Sequence, residues 1–209
     1  MQTLIFLNGE IPGKKIIGHF IKERSFVIAA DGGCNYLRKE RLLPDVIIGD
    51  MDSANKKSVK YFSSKGTEIL KINEQETTDF EKSLLYCKSK KLSKIFVFGF
   101  SSMRIDHTVN NFSILKRYSG IMDITMIDEE FEVFMINKST SIKYKKNEIF
   151  SFVAMPKAFN IYTKGLRYKL KGENLEFGVR EGSLNISTSG LITLNFDKGV
   201  LLIFKKHFL

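Results

Sequence analysis

The rhythm of the apolar residues changes once, near residue 128, and this constrains the fold of the 209-residue chain more than any other feature. Before that point, TLIFLN, SFVIAA, DVIIG, TEIL, KIFVFGF and ITMI read as strands. Several are apolar on both faces, as parallel strands covered by helices must be. The stretches between them have helical period. The clearest is 78–91, where Thr78 and Glu81 form a capping box and Phe80, Leu84, Leu85 and Cys87 make one apolar stripe. This alternation predicts a doubly wound, mainly parallel α/β domain over residues 1–127. After it, FEVFMI, TSIKY, EIFSFVAM, FNIYTKG, SLNISTSG, LITLNF and VLLIFK are short and often alternating, with Gly165, Gly172, Gly182, Gly190 and Gly199 as punctuation. That pattern predicts an antiparallel β-sandwich domain over residues 128–209.

Composition narrows the function classes. With 43% apolar and 27% charged residues the chain reads as globular, and no apolar run approaches the ~20 residues of a membrane span. The first residues, MQTLIFLN, lack a basic segment ahead of the apolar one and read as a strand, not a signal peptide. Cys34 and Cys87 form neither a C-x-x-C nor a metal-spaced pattern, which points to a reduced, cytoplasmic setting. The net charge of +10 raises nucleic acid as a partner. However, the excess is spread along the chain in pairs such as Lys14-Lys15, Lys56-Lys57, Lys90-Lys91 and Lys205-Lys206. Solvated lysines explain this better than a binding stripe, and their field would draw in an anionic nucleotide.

Ligands of a doubly wound sheet bind beyond the carboxyl ends of its strands, and aspartates stand there repeatedly. SFVIAA is followed by Asp31-Gly32-Gly33, and DVIIG by Asp50-Met51-Asp52-Ser53. TEIL leads to Thr78-Asp79, and KIFVFGF to Arg104-Ile105-Asp106-His107. Any one aspartate reads equally well as a helix N-cap. Asp50 and Asp52 point the same way after one strand and would repel without a cation; Mg²⁺, a hard oxygen-seeking ion that bridges phosphates, answers that need. Carboxylates, a few cations and glycines of close approach make a phosphoryl-transfer site.

Other chemistries fit less well. His19, His107 and His207 have no ligand partner at zinc spacing, and no G-x-S-x-G elbow is present. The stretch Gly9-Glu10-Ile11-Pro12-Gly13-Lys14-Lys15 misses a P-loop by one residue of spacing and by Lys15 in the Ser/Thr position, so it reads as a turn into a helix. His107 reads as a helix-start residue before it reads as a base.

Taken in order, these motifs resemble the thiamine pyrophosphokinase family. The resemblance rests on Asp31-Gly32-Gly33, the segment Pro44 through Ser53, Thr78-Asp79-Phe80-Glu81-Lys82, Arg104-Ile105-Asp106-His107 and the C-terminal turn Gly182-Ser183-Leu184-Asn185. It implies pyrophosphoryl transfer from ATP to thiamine with Mg²⁺, giving thiamine diphosphate and AMP. It also implies a two-domain subunit and a homodimer with shared active sites, thiamine lying where the α/β domain of one subunit meets the β domain of the other. Asp50, Asp52 and Asp79 are then the metal and phosphate carboxylates, with Asp79, Arg104 and Asp106 catalytic. Lys82 joins Arg104 in neutralising polyphosphate, and Asp106 holds or deprotonates the attacking hydroxyl. Asp31, Gly32, Gly33, Ser53, Gln75, Thr78, His107, Ser183 and Asn185 are expected to contact ATP or the acceptor.

The sequence departs from the family pattern in three places. The glycine-rich turn before the arginine is Gly99-Phe100-Ser101-Ser102-Met103, Leu184 stands where the C-terminal turn has serine, and the chain has no tryptophan. Ring stacking on thiamine must therefore come from Phe or Tyr, with Tyr168 a candidate for that role or for the β-domain core. Two alternatives stay open. One is a related pyrophosphokinase acting on a pterin or a thiamine precursor. The other is a β domain that binds nucleic acid through Tyr144 among Lys143, Lys145 and Lys146.

Overall fold

The computed structural model describes residues 1–102 and 104–209. The chain falls into two compact units, Met1–Ile114 with Ile121–Glu129 and Leu209, and Leu115–Gly120 with Glu130–Phe208.

The first unit is built from β1 (Thr3–Phe6), α1 (Lys14–Phe20), β2 (Phe26–Ala30), α2 (Gly33–Lys39), β3 (Val46–Gly49), α3 (Lys56–Ser63), β4 (Glu68–Lys71), α4 (Asp79–Ser89), β5 (Lys94–Phe98), α5 (Ile105–Tyr118) and β6 (Asp123–Ile127). Its six strands are all parallel, in the order β4-β3-β2-β1-β5-β6. The chain steps outward from β1 to β4, returns over the sheet through α4, and continues on the other side of β1 with β5 and β6. The order therefore reverses between β1 and β5, where the loops leaving the two strands can part around a ligand.

Burial on both faces explains why these strands read as unbroken apolar runs. Leu4, Phe6, Ala29, Ile47 and Phe98 pack with Ile16, Ile17 and Phe20 of α1, Cys34 and Leu37 of α2 and Phe62 of α3. Ile5, Ile28, Ile48 and Val97, of the opposite parity, are also fully buried, and α4 lies against β2 and β3. The capping box forms as expected, with Thr78 Oγ1 accepting the Glu81 N–H at 3.3 Å. Asn55 caps α3 in the same way through the Lys57 N–H at 2.9 Å.

The second unit contains β7 (Phe131–Ile136), β8 (Thr140–Lys143), β9 (Ile149–Lys164), β10 (Lys171–Glu176), β11 (Gly182–Ile186), β12 (Leu191–Asn195) and β13 (Lys198–Lys206). All pairings are antiparallel; β7, β13, β9, β12 and β8 follow in that order, and β10 and β11 also pair with β9. The strands thus form one connected set organised on β9, around a core that includes Phe150, Phe152, Ile161, Leu175, Ile192, Leu194 and Leu201.

Two runs expected as separate strands, EIFSFVAM and FNIYTKG, are one strand passing through Pro156. Pro156 falls where the β9–β13 register shifts between Gly199 and Leu201, opposite Ala158 and Ala154, and its carbonyl accepts the Phe177 N–H at 2.8 Å. The strand β10 was not anticipated, because KGENLE has one buried apolar residue, Leu175, and an otherwise polar sequence.

Candidate active site

The site begins where β2 stops. Asp31 takes a left-handed φ of 42°, which aspartate tolerates better than most residues. Its N–H extends the ladder to the Ile48 carbonyl at 2.8 Å. The side chain is 2% exposed. Its two oxygens accept the Ser53 N–H at 3.0 Å and the Ala54 N–H at 3.1 Å. Asn35, one turn into α2, grips the same loop, donating to the Ser53 carbonyl at 3.0 Å and accepting the Asn55 N–H at 2.9 Å. The loop after β3 is therefore shaped by side chains that follow β2.

Within that loop Met51 has a φ of 70°, and the Asp52 N–H turns back onto Asp50 Oδ1 at 3.1 Å. Gln75 Nε2 donates to the other Asp50 oxygen at 2.9 Å. Asp79, the first residue of α4, comes up from the opposite side, its Oδ1 3.4 Å from Lys82 Nζ. Carboxylate oxygens of Asp31, Asp50 and Asp79 lie within 4.8 Å of one another. Gly49 allows this approach. A Cβ there would stand 2.8 Å from Asp31 Cβ and 3.0 Å from Asp79 Oδ1, and its φ of 151° disfavours a side chain in any case.

The electrostatics follow from that crowding. Burial pushes the Asp31 carboxyl up to about 6; the Ser53 N–H opposes this, and Asp52 and Asp79 add to it. Burial also raises Asp79, against the pull of Lys82. Asp50 is lowered, first by Gln75 and then by the Asp52 N–H. Three carboxylates around one buried ammonium leave uncompensated negative charge, so these hard oxygen donors suit a divalent cation such as Mg²⁺.

The three carboxylates line a cleft of about 900 Å³ at the carboxyl ends of the strands. Asp52, Ser53, Gln75, Thr78, Lys82, Arg104, Asp106 and His107 line it too, and all belong to the first unit. The carboxylate grouped with Asp50 and Asp79 is that of Asp31, not Asp52, whose Oδ1 accepts the Ser53 hydroxyl at 3.0 Å. Gly32 and Gly33 act beneath the surface. A Cβ on Gly33 would meet the Phe6 carbonyl at 2.0 Å, and one on Gly32 would meet the Asn8 amide at 2.4 Å, so both permit α2 to start against β1.

Arg104 and Asp106 form a two-point pair at the mouth of the cleft, Nε to Oδ1 at 2.9 Å and Nη2 to Oδ2 at 2.7 Å. That contact draws the Asp106 carboxyl down to about 2, which makes it a weak proton acceptor. His107 sits in the first turn of α5, its N–H on the Arg104 carbonyl at 3.0 Å. Met103, part of the unusual turn before the arginine, lies outside the described residues.

Ser183 and Asn185 lie in the second unit, on β11. Ser183 is exposed, whereas Asn185 is buried with both its amide oxygen and its amide nitrogen hydrogen-bonded. Asn185 Nδ2 donates to the Tyr168 carbonyl at 2.7 Å, and its Oδ1 accepts the N–H groups of Tyr168 at 3.0 Å and Ile186 at 2.9 Å. This staple leaves the Tyr168 ring exposed. Leu184, at a φ of 54°, is 72% exposed.

Sequence reasoning passed over Asn8, Glu10, Asn110 and Asn111, which also line the cleft. Asn8 carried a usable signal, since it follows the first strand of a sheet whose order reverses at that strand. Two competing readings lose ground. The Gly13 N–H, where a P-loop would offer a phosphate donor, is occupied by the Glu129 carboxylate at 2.8 Å. Tyr144 is buried, its hydroxyl donating to the Ile149 carbonyl and accepting the Lys206 N–H at 3.0 Å, so it offers no stacking face to a nucleic acid.

Two family models match the chain: thiamin pyrophosphokinase, catalytic domain, over residues 17–126, and thiamin pyrophosphokinase, vitamin B1 binding domain, over residues 138–201. Among curated relatives, thiamine pyrophosphokinase 2 of Arabidopsis thaliana is 24% identical over 230 residues, covering 95% of this chain and 84% of the relative. Thiamin pyrophosphokinase 1 of Caenorhabditis elegans is 24% identical over 216 residues, covering 96% and 87%. Among solved structures, the thiamine pyrophosphokinase from Bacillus subtilis shares the fold with a TM-score of 0.86 at 20% identity over the full length of both chains.

Proposed function

This chain belongs to the thiamine pyrophosphokinase family, and on that premise we propose that it transfers a pyrophosphoryl group from ATP to the hydroxyl of thiamine. The observation that carries the reading is the convergence of Asp31, Asp50 and Asp79 beside Lys82 in the strand-end cleft. In the reaction, the thiamine hydroxyl oxygen bonds to the β-phosphorus of ATP. The bond from that phosphorus to the α–β bridging oxygen breaks, its electron pair leaves on AMP, and the hydroxyl proton passes to solvent or a cleft carboxylate. The match of the vitamin B1 binding model favours thiamine over a pterin or another alcohol.

Asp50 and Asp79, with Asp31 beside them, would hold Mg²⁺, and Asp52 adds negative charge to the same cleft. When bound, the ion neutralises charge on the phosphate oxygens. Lys82, buried with its ammonium toward Asp79, binds polyphosphate from the floor of the cleft. Arg104 binds it from the mouth, where its fork suits two oxygens. Gln75 orients Asp50. The two-point contact with Arg104 favours Asp106 as a residue that orients the guanidinium and accepts a hydrogen bond from the hydroxyl, over one that removes its proton.

The reversal of strand order beside β1 supports the doubly wound description of residues 1–127 as the nucleotide-binding domain. We assign residues 128–209, read as a β-sandwich, to thiamine binding and dimerisation, with Ser183 and the Tyr168 ring on the acceptor side. A homodimer in the cytoplasm is part of the same proposal. Cys34 and Cys87 are buried free thiols, consistent with a reducing compartment. Among the described residues no helix is long and apolar enough to cross a membrane.

The test is incubation of the purified protein with ATP, Mg²⁺ and thiamine, with products followed by mass spectrometry and phosphorus NMR. Thiamine diphosphate and AMP in equal amounts, dependent on Mg²⁺, are expected. ADP in place of AMP, or no transfer to thiamine, would overturn the reading.

A further inference from the structure

The segment Gly99–Ser102 follows β5 and precedes Arg104 in sequence, and its main chain is held from two sides. On the β1 side, the Gly9 N–H donates to the Gly99 carbonyl at 3.0 Å, and the Glu10 N–H donates to the Ser101 carbonyl at 2.7 Å. On the α5 side, Asn111 Nδ2 donates to the Phe100 carbonyl at 2.7 Å, and the Ser102 N–H donates to Thr108 Oγ1 at 3.2 Å. Three successive carbonyls are thus taken by the loop after β1, by α5 and by that loop again in turn. The Ser102 hydroxyl then closes on Arg104, accepting its N–H at 3.2 Å and donating to its carbonyl at 3.1 Å.

The two α5 residues are three apart and share one helix face. Asn111 lines the cleft, and its amide nitrogen donates to the Phe100 carbonyl. The bonds from the loop after β1 are main chain on both ends and are independent of side-chain identity. The helix-side bonds come from two specific side chains, and they restrain a segment in which glycine occurs only at Gly99.

We propose that Thr108 and Asn111 are positioning residues, which brace the Gly99–Ser102 segment from α5 and so fix where Arg104 enters the cleft. The inference rests on the reading of Arg104 as a polyphosphate-binding cation. A loosened brace costs binding energy for the nucleotide, because ordering the segment must then accompany binding.

Thr108→Val removes the acceptor at nearly constant volume, Thr108→Ser keeps it, and Asn111→Leu removes the donor. A net hydrogen bond corresponds to about a three- to tenfold effect. The KM for MgATP is expected to rise by about that factor in Thr108→Val and Asn111→Leu, with kcat within about twofold and with Thr108→Ser near the parent. In an Arg104→Gln background, Thr108→Val should add nothing, since the two act through one contact. An unchanged KM in Thr108→Val, or its full effect persisting without Arg104, would overturn the brace. Should the parent protein make no AMP from ATP and thiamine, the activity reading fails by itself. The brace is then decided by hydrogen exchange at the Ser102 amide, faster in Thr108→Val but not in Thr108→Ser if it holds, and equal in both if it does not.

Discussion

Gly49 and Asp31 show how few atoms decide this site. With no side chain at residue 49, the Asp31 and Asp79 carboxyls approach each other across the end of β3. Asp50 and Asp79 belong to the resulting three-carboxylate group, and Asp52 stands outside it. Asp50→Asn and Asp79→Asn should therefore keep the fold and lower kcat/KM by about 10²-fold or more, and Asp52→Asn should cost less. Steady-state assays across Mg²⁺ concentrations check the ranking, and an Asp52→Asn loss equal to the other two would reject the grouping. A second expectation concerns pH. The folded Asp31 carboxyl, near 6, lies above its ordinary value of 3.8, so the folded state binds more protons between those limits. In the metal-free protein this group's contribution is fully present below about pH 4 and is lost as pH rises toward 6. Urea denaturation in EDTA should show that decline in the parent and its absence in Asp31→Asn.

Elements place these residues, and two of them do so by side-chain bonds that their own strand or helix does not need. Asn35 of α2 and Asp31 together hold the loop after β3. Asn185 of β11 does the same for the segment that carries Tyr168. Asn185→Ala would leave two part-buried N–H groups and a carbonyl without this partner, a loss of about 1 kcal/mol. The expected result is a lower urea midpoint, together with a weaker response to thiamine because the Tyr168 ring is no longer held; unchanged stability would show the staple to be dispensable. The capping box at Thr78 was legible in the sequence because both partners lie within one turn of α4. Asn185 was legible only as a motif position, and its use as a staple was not, because Tyr168 is 17 residues away. The strand β10 escaped for a related reason: it pairs on the long central strand β9 with only one buried apolar side chain of its own.

At the scale of the whole molecule, folding and ligand binding are linked, because the cleft carboxylates repel one another without a cation. Mg²⁺ with ATP at about a hundredfold over the dissociation constant should stabilise the folded protein by about 2.7 kcal/mol, seen as a rise of several degrees in Tm. ATP alone should give less, Asp79→Asn should show little of the Mg²⁺-dependent part, and an ATP shift indifferent to Mg²⁺ would contradict the metal assignment. The change of apolar rhythm near residue 128, the parallel strands of the first unit and the aspartates after them were legible without the fold. Those features depend on periodicity and on neighbours within a few residues. The fold alone brings Asp31 to Asp50 and Asp79, sets Gly32 and Gly33 against Asn8 and Phe6 beneath the cleft, and places α5 beside the segment before Arg104. Each of these is a distance between chain segments set by strand order and close packing, and no local pattern encodes such a distance.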